Sequence, residues 1–186
     1  MKLFITGIST DVGKTIASAI IVEALQADYW KPIQAGDLNH SDTHKVQSLV
    51  SNSQSHFHSN SYALQTPASP HLAAAIDGLT IAMNQIQEPK TNNHLVVEGA
   101  GGILVPLNET QSVVDLIQPD YKVIVVSRHY LGSISHTLLT IEALKNHLDY
   151  RRMKHSRQHR YLSELPFWTR WHLWKHLTLK FQFYVS

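Results

Sequence analysis

The nine residues Gly7-Ile8-Ser9-Thr10-Asp11-Val12-Gly13-Lys14-Thr15 decide how the rest of the chain is read. They fit the phosphate-loop pattern GxxxxGK[ST]. The stretch follows the apolar run Lys2–Thr6, which reads as a buried strand. It opens Ile16–Gln26, where Ile16, Ala19, Ile20 and Ala24 recur at helical spacing. Glycine at both ends lets the backbone wrap a phosphate, so that loop N–H groups and the helix N-terminus face an anion. In that setting Lys14 holds the β- and γ-phosphates as a point charge, and the Thr15 hydroxyl ligates Mg²⁺. A nucleoside triphosphate is the favoured ligand. A chance match in a strand–turn–helix is the plainer alternative.

Outward from the loop, strand and helix patterns alternate. Tyr29–Ile33 reads as a second strand, Gln34–Ser41 as a polar loop and Thr43–Val50 as a short helix. Residues 51–61 are rich in Ser, Asn, Gln and His without a period and read as a surface connection. Pro67 and Pro70 bracket a turn before a helix over Leu72–Ile76. His94–Glu98 is a buried strand ending in Gly-Ala-Gly-Gly, Val113–Ile117 a short helix, Lys122–Ser127 a buried strand and Ser133–His147 a helix. Continuous apolar strands alternating with helices predict an α/β fold with a mostly parallel sheet covered on both faces.

Length and composition narrow the class. The chain has 186 residues, 43% hydrophobic and 16% charged, which excludes a disordered tail protein and a highly charged coiled coil. No apolar run approaches the roughly 18 residues of a bilayer span. The first residues run as a strand straight into the loop, so they do not read as a signal peptide. There is no cysteine, which excludes disulfides, thiolate metal sites and a cysteine nucleophile and fits a cytoplasmic location. Residues 1–147 carry 8 Lys+Arg against 12 Asp+Glu, net −4; residues 148–186 carry 8 against 2, net +6, with three of the four Trp. So sharp a change marks a boundary after residue 147. The basic pI belongs to the tail, and the main domain is expected to bind neither nucleic acid nor membrane.

Three side chains outside the loop have the chemistry a nucleotide needs. Mg²⁺ beside phosphates takes one or two carboxylates. Glu98 ends an apolar strand and precedes glycines that let the backbone pass close to a bound group; the alternative is a strand-end acid facing water. Asp42 precedes a short helix, and its alternative is an N-cap. Asp11 in the loop is a turn residue or a substrate contact. Lys31, in the strand-like Trp-Lys-Pro-Ile, either neutralises a transferred phosphate or snorkels from an edge strand.

Together these residues resemble the dethiobiotin synthetase family. The likeness covers about residues 2–147. It rests on the loop, then Trp30–Asp37 (WKPIQAGD), Ser41–Asp42, Pro67–Ala74 (PASPHLAA), Val97–Leu107 (VEGAGGILVPL) and Leu131–Leu144 (LGSISHTLLTIEAL), in that order. The resemblance implies a P-loop NTPase-like homodimer that closes a cyclic urea from 7,8-diaminononanoate, CO₂ (or bicarbonate) and ATP, with Mg²⁺. It carries over Lys31, Lys14 and Thr10 as catalytic residues, and Thr15, Asp42 and Glu98 as Mg²⁺ ligands. Nucleotide contacts fall on Asp11, Val12, Gly13, Lys14, Thr15, Ile16, Asp42, Glu98, Gly99, Ala100 and Gly101. Substrate contacts fall on Thr10, Asp11, Lys31, Ala35, Gly132, Ser133 and Ser135, the last three receiving the far carboxylate from the partner subunit. Ala35 stands where the family often has Ser or Thr, and Ser135 where it often has Asn.

The likeness stops near His147. The family continues with a strand ending in an adenine-reading Asn and an LGxIP-like strand; nothing in residues 148–186 matches, and the C-terminal strands are expected to be missing or replaced. A shifted reading frame, a basic amphipathic appendage built on Trp168, Trp171 and Trp174, and a diverged sheet end compete for this segment. The first leaves a chain expected to fold or act poorly. The pairs His155/His159 and His172/His176 have i, i+4 spacing without a third patterned ligand, and read as solvated, as do His56 and His58. Two rival functions are a regulatory, positioning-type P-loop ATPase and a nucleotide-binding module without turnover. The first usually carries a lysine at the second loop position, where this chain has Ile8.

Overall fold

The apolar runs become strands of a five-stranded parallel sheet and of a smaller parallel pair beside it. A computed structural model describes residues 1–155, with side chains through Leu148. Its strands are β1 (Lys2–Gly7), β2 (Asp28–Trp30), β3 (Ile33–Ala35), β4 (Phe57–His58), β5 (Tyr62–Leu64), β6 (Leu95–Gly102) and β7 (Tyr121–Val126). Its helices are α1 (Lys14–Leu25), α2 (Asp42–Leu49), α3 (Pro70–Ile76) and α4 (Ser133–His155). The main sheet runs β4-β2-β6-β1-β7, and every neighbouring pair is parallel. β3 and β5 form a separate parallel pair. The expected α/β class with a mostly parallel sheet is what is found.

Alternate strand residues point to opposite faces of a sheet, and here both faces are buried. Phe4, Trp30, Leu95, Val97, Val123 and Val125 enter one core. Leu3, Ile5, Tyr29, Val96, Ile124 and Val126 enter the other, against Ala17, Ala19 and Val22 of α1 and Val46 of α2. This parity also places the site, because Glu98 shares the face of Val96, and Lys31 follows Tyr29 by two.

Several boundaries differ from expectation. The predicted strand Tyr29–Ile33 is two strands in two sheets. Pro32 has no N–H for a ladder and marks the break; its carbonyl accepts from Ser61 and Tyr62 N–H at 2.8 and 3.0 Å instead. Residues 51–61 are not only a connection, since Phe57–His58 pairs with β2 as an edge strand, where polar residues are tolerated. The Gly-Ala-Gly-Gly segment stays in β6, with an irregularity opposite Ile5–Gly7. Val113–Leu116 is a 3-10 turn. α1 starts at Lys14 and ends at Leu25, α3 starts at Pro70, and α4 continues past His147 to His155. The readings placed on residues 156–186, including the three Trp and the histidines there, lie outside the described residues, as do the side chains from Asp149 onward.

Candidate active site

The phosphate loop is shaped by its glycines. A methyl group on Gly7 would stand 2.5 Å from Val12 Cγ2 and 2.9 Å from the Ser9 carbonyl, so no larger residue fits. Gly13 has φ +99°, which other residues adopt only with strain, and from there α1 begins. Lys14 is buried, and its Nζ donates to the Ser9 carbonyl at 3.0 Å, inside the curl of the loop. Burial lowers its pKa below the usual lysine value, with the Lys31 charge acting in the same direction and Glu98, Asp42 and Asp11 opposing.

Strand register delivers the other groups. Ile5 of β1 lies opposite Glu98, and Trp30 of β2 lies opposite Val97. Lys31, one residue on, therefore arrives beside Glu98. Its Nζ is 3.2 Å from Glu98 Oε1 and also donates to Asp42 Oδ2. Glu98 is buried, not a strand-end acid facing water, and Lys31 is buried, not snorkelling. Asp42 is not the N-cap: Ser41 holds that position, its hydroxyl accepting from His44 N–H, and Asp42 begins α2. The neighbouring Gln34 fixes this start. Its Oε1 accepts from Asp42 N–H at 3.3 Å, and its Nε2 donates to the Gly36 carbonyl at 3.0 Å.

Glu98 collects four donors. Thr15 Oγ1 at 3.2 Å joins Lys31 on Oε1; Ser18 Oγ at 2.7 Å and Tyr29 OH at 3.0 Å bind Oε2. For Lys31, burial pulls the pKa down but is outweighed by the Glu98 and Asp42 charges, and the net direction is up. For Asp42, burial pushes the pKa up, yet Lys31 overcomes it, with help from Lys45 and the Thr15 hydroxyl, and the net direction is down. For the Tyr29 phenol, burial first and then the nearby carboxylates raise the pKa well above the usual tyrosine value.

The arrangement thus offers one ammonium between two carboxylates, a second ammonium in the loop and a threonine hydroxyl. These oxygens are the hard donors that Mg²⁺ prefers. Among the described residues, no three His, Cys, Asp or Glu side chains gather as a metal site. A Mg²⁺ held by Thr15, Asp42 and Glu98 would complete its shell with phosphate oxygens and water, its usual habit in nucleotide sites.

A cleft of about 980 Å³ opens beside these groups. Thr10, Asp11, Lys31, Ala35, Asp42, Ala100 and Gly101 line it. Thr10 and Asp11 are exposed at its mouth, and Arg128 Nη1 donates to the Asp11 carbonyl at 3.2 Å. Val12 is buried under the loop, while Ile16 is half exposed on the outer face of α1. Gly99 is packed against Phe4 and Val113, where a methyl would come within 3.1 Å of both. Gly132, Ser133 and Ser135 do not line this cleft; α4 reaches it one turn later through His136, Leu139 and Thr140. Ser18, Tyr29, Gln34 and Arg128 are site residues that motif reading missed. Ser18 had one signal: it lies three residues after Thr15, on the same helix face.

A family model described as an AAA domain matches residues 1–153. The chain is 62% identical over 143 residues to the ATP-dependent dethiobiotin synthetase BioD of Christiangramia forsetii, covering 77% of this chain and 69% of that one. It is 56% identical over 146 residues to the enzyme of the same name from Cytophaga hutchinsonii, covering 77% and 70%. For the one from Chlamydia pneumoniae the identity is 45% over 146 residues, covering 78% and 65%.

Proposed function

The chain belongs to the family of ATP-dependent dethiobiotin synthetases, ligases of biotin biosynthesis, and on that premise we propose that it closes the cyclic urea of dethiobiotin. The substrates are 7,8-diaminononanoate, CO₂ and ATP. The observation that carries this reading is the placement of Lys31 between Asp42 and Glu98 at the wall of the cleft that the phosphate loop borders.

One amine of the substrate adds to CO₂ and loses a proton, giving a carbamate. A carbamate oxygen attacks the γ-phosphorus of ATP, and ADP leaves. The second amine attacks the carbonyl carbon of the resulting mixed anhydride, loses a proton, expels phosphate and closes the ring. Phosphoryl transfer asks the protein mainly for position and positive charge. Lys14 supplies charge from inside the loop, at the β- and γ-phosphates. Lys31 supplies it from the sheet side, where carbamate and γ-phosphate meet. Thr10 and Asp11 contact the diamine at the mouth of the cleft, which Ala35 also lines. Val12, Gly13 and Ile16 shape the loop and the first turn of α1, and Gly99, Ala100 and Gly101 offer backbone close to the nucleotide. Thr15, Asp42 and Glu98 would hold Mg²⁺, which would supply positive charge against the phosphates.

The active unit spans residues 1–147, is cytoplasmic and works as a homodimer. Supporting the dimer is the exposed apolar face of α4 and the loop before it, Leu131, Ile134 and Leu138. Gly132, Ser133 and Ser135, at the start of that helix, receive the far carboxylate of the substrate bound in the partner. Among the described residues, no helix is long and apolar enough to cross a membrane.

The test is phosphate release from ATP and Mg²⁺ by the full chain with bicarbonate, with and without the diamine. Diamine-dependent release, with dethiobiotin formed, is expected. Release independent of the diamine would favour an ATPase of another kind.

A further inference from the structure

We propose that Tyr29 is a positioning residue for Glu98: its buried hydroxyl holds Oε2 so that Oε1 is presented to the nucleotide side of the site. The inference rests on the reading of Glu98 as an Mg²⁺ ligand and goes beyond it. It assigns the two oxygens of that carboxylate different tasks.

The division follows from the donors. Among the described residues, Oε2 accepts only from the framework. Ser18 Oγ reaches it from the sheet-facing side of α1 at 2.7 Å, and Tyr29 OH reaches it from β2 at 3.0 Å. Both residues have no exposed surface and neither lines the cleft. Oε1 faces Thr15 Oγ1 and Lys31 Nζ, both at 3.2 Å and both part of the proposed machinery. Of the four donors, two belong to the scaffold and two to the chemistry, and they are sorted by oxygen.

The last torsion of a glutamate is broad and nearly two-fold, so an unanchored carboxylate turns freely between equivalent settings. A serine hydroxyl sweeps a cone about Cβ and follows such a turn. The Tyr29 hydroxyl is fixed by its ring, which packs against Phe57 with centroids 6.2 Å apart, inside the core beneath α1. A donor on a locked ring sets a direction that the carboxylate must meet. Groups that hold metal-ligating carboxylates typically change metal affinity or activity by about 10- to 100-fold when removed. Tyr29 is buried and does not line the cleft, so its effect on the site is expected to pass through Glu98.

The experiment uses the full chain and Mn²⁺ as the probe, titrated by electron paramagnetic resonance with a non-hydrolysable ATP analogue present. Tyr29→Phe keeps the ring and deletes only the donor. It is expected to raise the Mn²⁺ dissociation constant about 10-fold. The Mg²⁺ concentration for half-maximal turnover should rise in parallel, while kcat at saturating Mg²⁺ changes little. Ser18→Ala is expected to shift Mn²⁺ binding in the same direction. Tyr62→Phe is the structural control. Its hydroxyl accepts from Ala82 N–H and donates to Gln85, both at 2.9 Å and away from the site. It should lower the unfolding midpoint without moving Mn²⁺ binding. If Tyr29→Phe lowers the midpoint but binds Mn²⁺ as wild type does, the hydroxyl is only structural and the proposal is overturned. Glu98→Gln separates the two layers. Loss of Mn²⁺ binding in Glu98→Gln beside wild-type binding in Tyr29→Phe removes the inference alone. Wild-type binding in Glu98→Gln removes the ligand reading, and the inference with it.

Discussion

The ammonium of Lys31 stands 3.2 Å from Glu98 Oε1, a residue 67 positions away in the chain, and pairs on its other side with Asp42. Neither carboxylate is fully exposed, and Glu98 is buried outright. Removing one partner of such a cluster leaves charge without compensation in a poorly solvating place, which typically costs about 3–5 kcal/mol.

Replacing Lys31 by Met tests both its roles. Diamine-dependent turnover should fall by about 10²–10³-fold, the usual loss when one preorganised charge at a transition state is deleted. Unfolding in urea should show a loss of about 3 kcal/mol. Lys31→Arg should restore much of the stability but little of the rate, since a planar guanidinium cannot occupy the point between two carboxylates as an ammonium does. Initial rates and denaturation curves of the two variants decide this.

Gly7→Ala should disable the loop while sparing the sheet. The added methyl meets Val12 and the Ser9 carbonyl at distances no real contact shows, so the loop must shift. Overpacking of this kind costs about 1–3 kcal/mol. Calorimetric titration should find ATP affinity reduced at least about 10-fold, since 1.4 kcal/mol corresponds to a factor of ten. Unchanged affinity would mean the loop tolerates the methyl.

An acid-dependent clamp joins α1 to the segment after α2. Glu23 accepts from Ser51 Oγ at 2.7 Å, Ser51 N–H at 3.0 Å, and Asn52 Nδ2 and N–H at 2.9 and 3.2 Å. These bonds, led by Ser51, lower its pKa to about 2. A depressed folded-state value adds stability that is fully present above the unfolded value, roughly 4.3. That stability is lost as pH falls toward 2, because unfolding then takes up a proton. Glu23→Gln should therefore flatten the decline of the thermal midpoint between about pH 4.3 and 2. Parallel melting curves for variant and wild type through that window would refute it.

The dimer proposal has its own test on α4. Ile134 and Leu138 are 56% and 44% exposed, so charging them should cost the protomer little. Ile134→Glu with Leu138→Glu is expected to yield a monomer by light scattering, with an unchanged fold by circular dichroism. The KM for the diamine should rise more than that for ATP, because in the proposed dimer only the diamine carboxylate reaches across. A variant that remains dimeric would place the interface elsewhere.

How much of this was legible beforehand depended on distance along the chain. The loop is local, so nine consecutive residues announce it. Glu98 and Lys31 were recognisable by type and by the apolar company they keep, but their meeting depends on parallel register between β2 and β6, which no single segment encodes. Tyr29 was hidden for a further reason: a tyrosine in a buried strand satisfies the core pattern completely, and its hydroxyl gains a task only when α1 and β6 close over it. The break at Pro32 was readable from the missing N–H, yet the apolar run on either side masked it. β4 escaped notice because an edge strand needs few apolar residues. The sequence left the cap before α2 open, since both Ser41 and Asp42 are good caps and only the bond from His44 N–H to Ser41 Oγ chooses between them.

The register that seats Lys31 beside Glu98 also makes the site a checkpoint on assembly. Side chains alternate across a strand, so a one-residue slip of β2 against β6 would move Lys31 out of place and turn Tyr29 toward the wrong core. No such misaligned chain can gather the four donors on Glu98. Nucleotide–metal binding would accordingly count only molecules whose central strands have found their true partners, and could serve to measure the correctly folded fraction of a preparation directly.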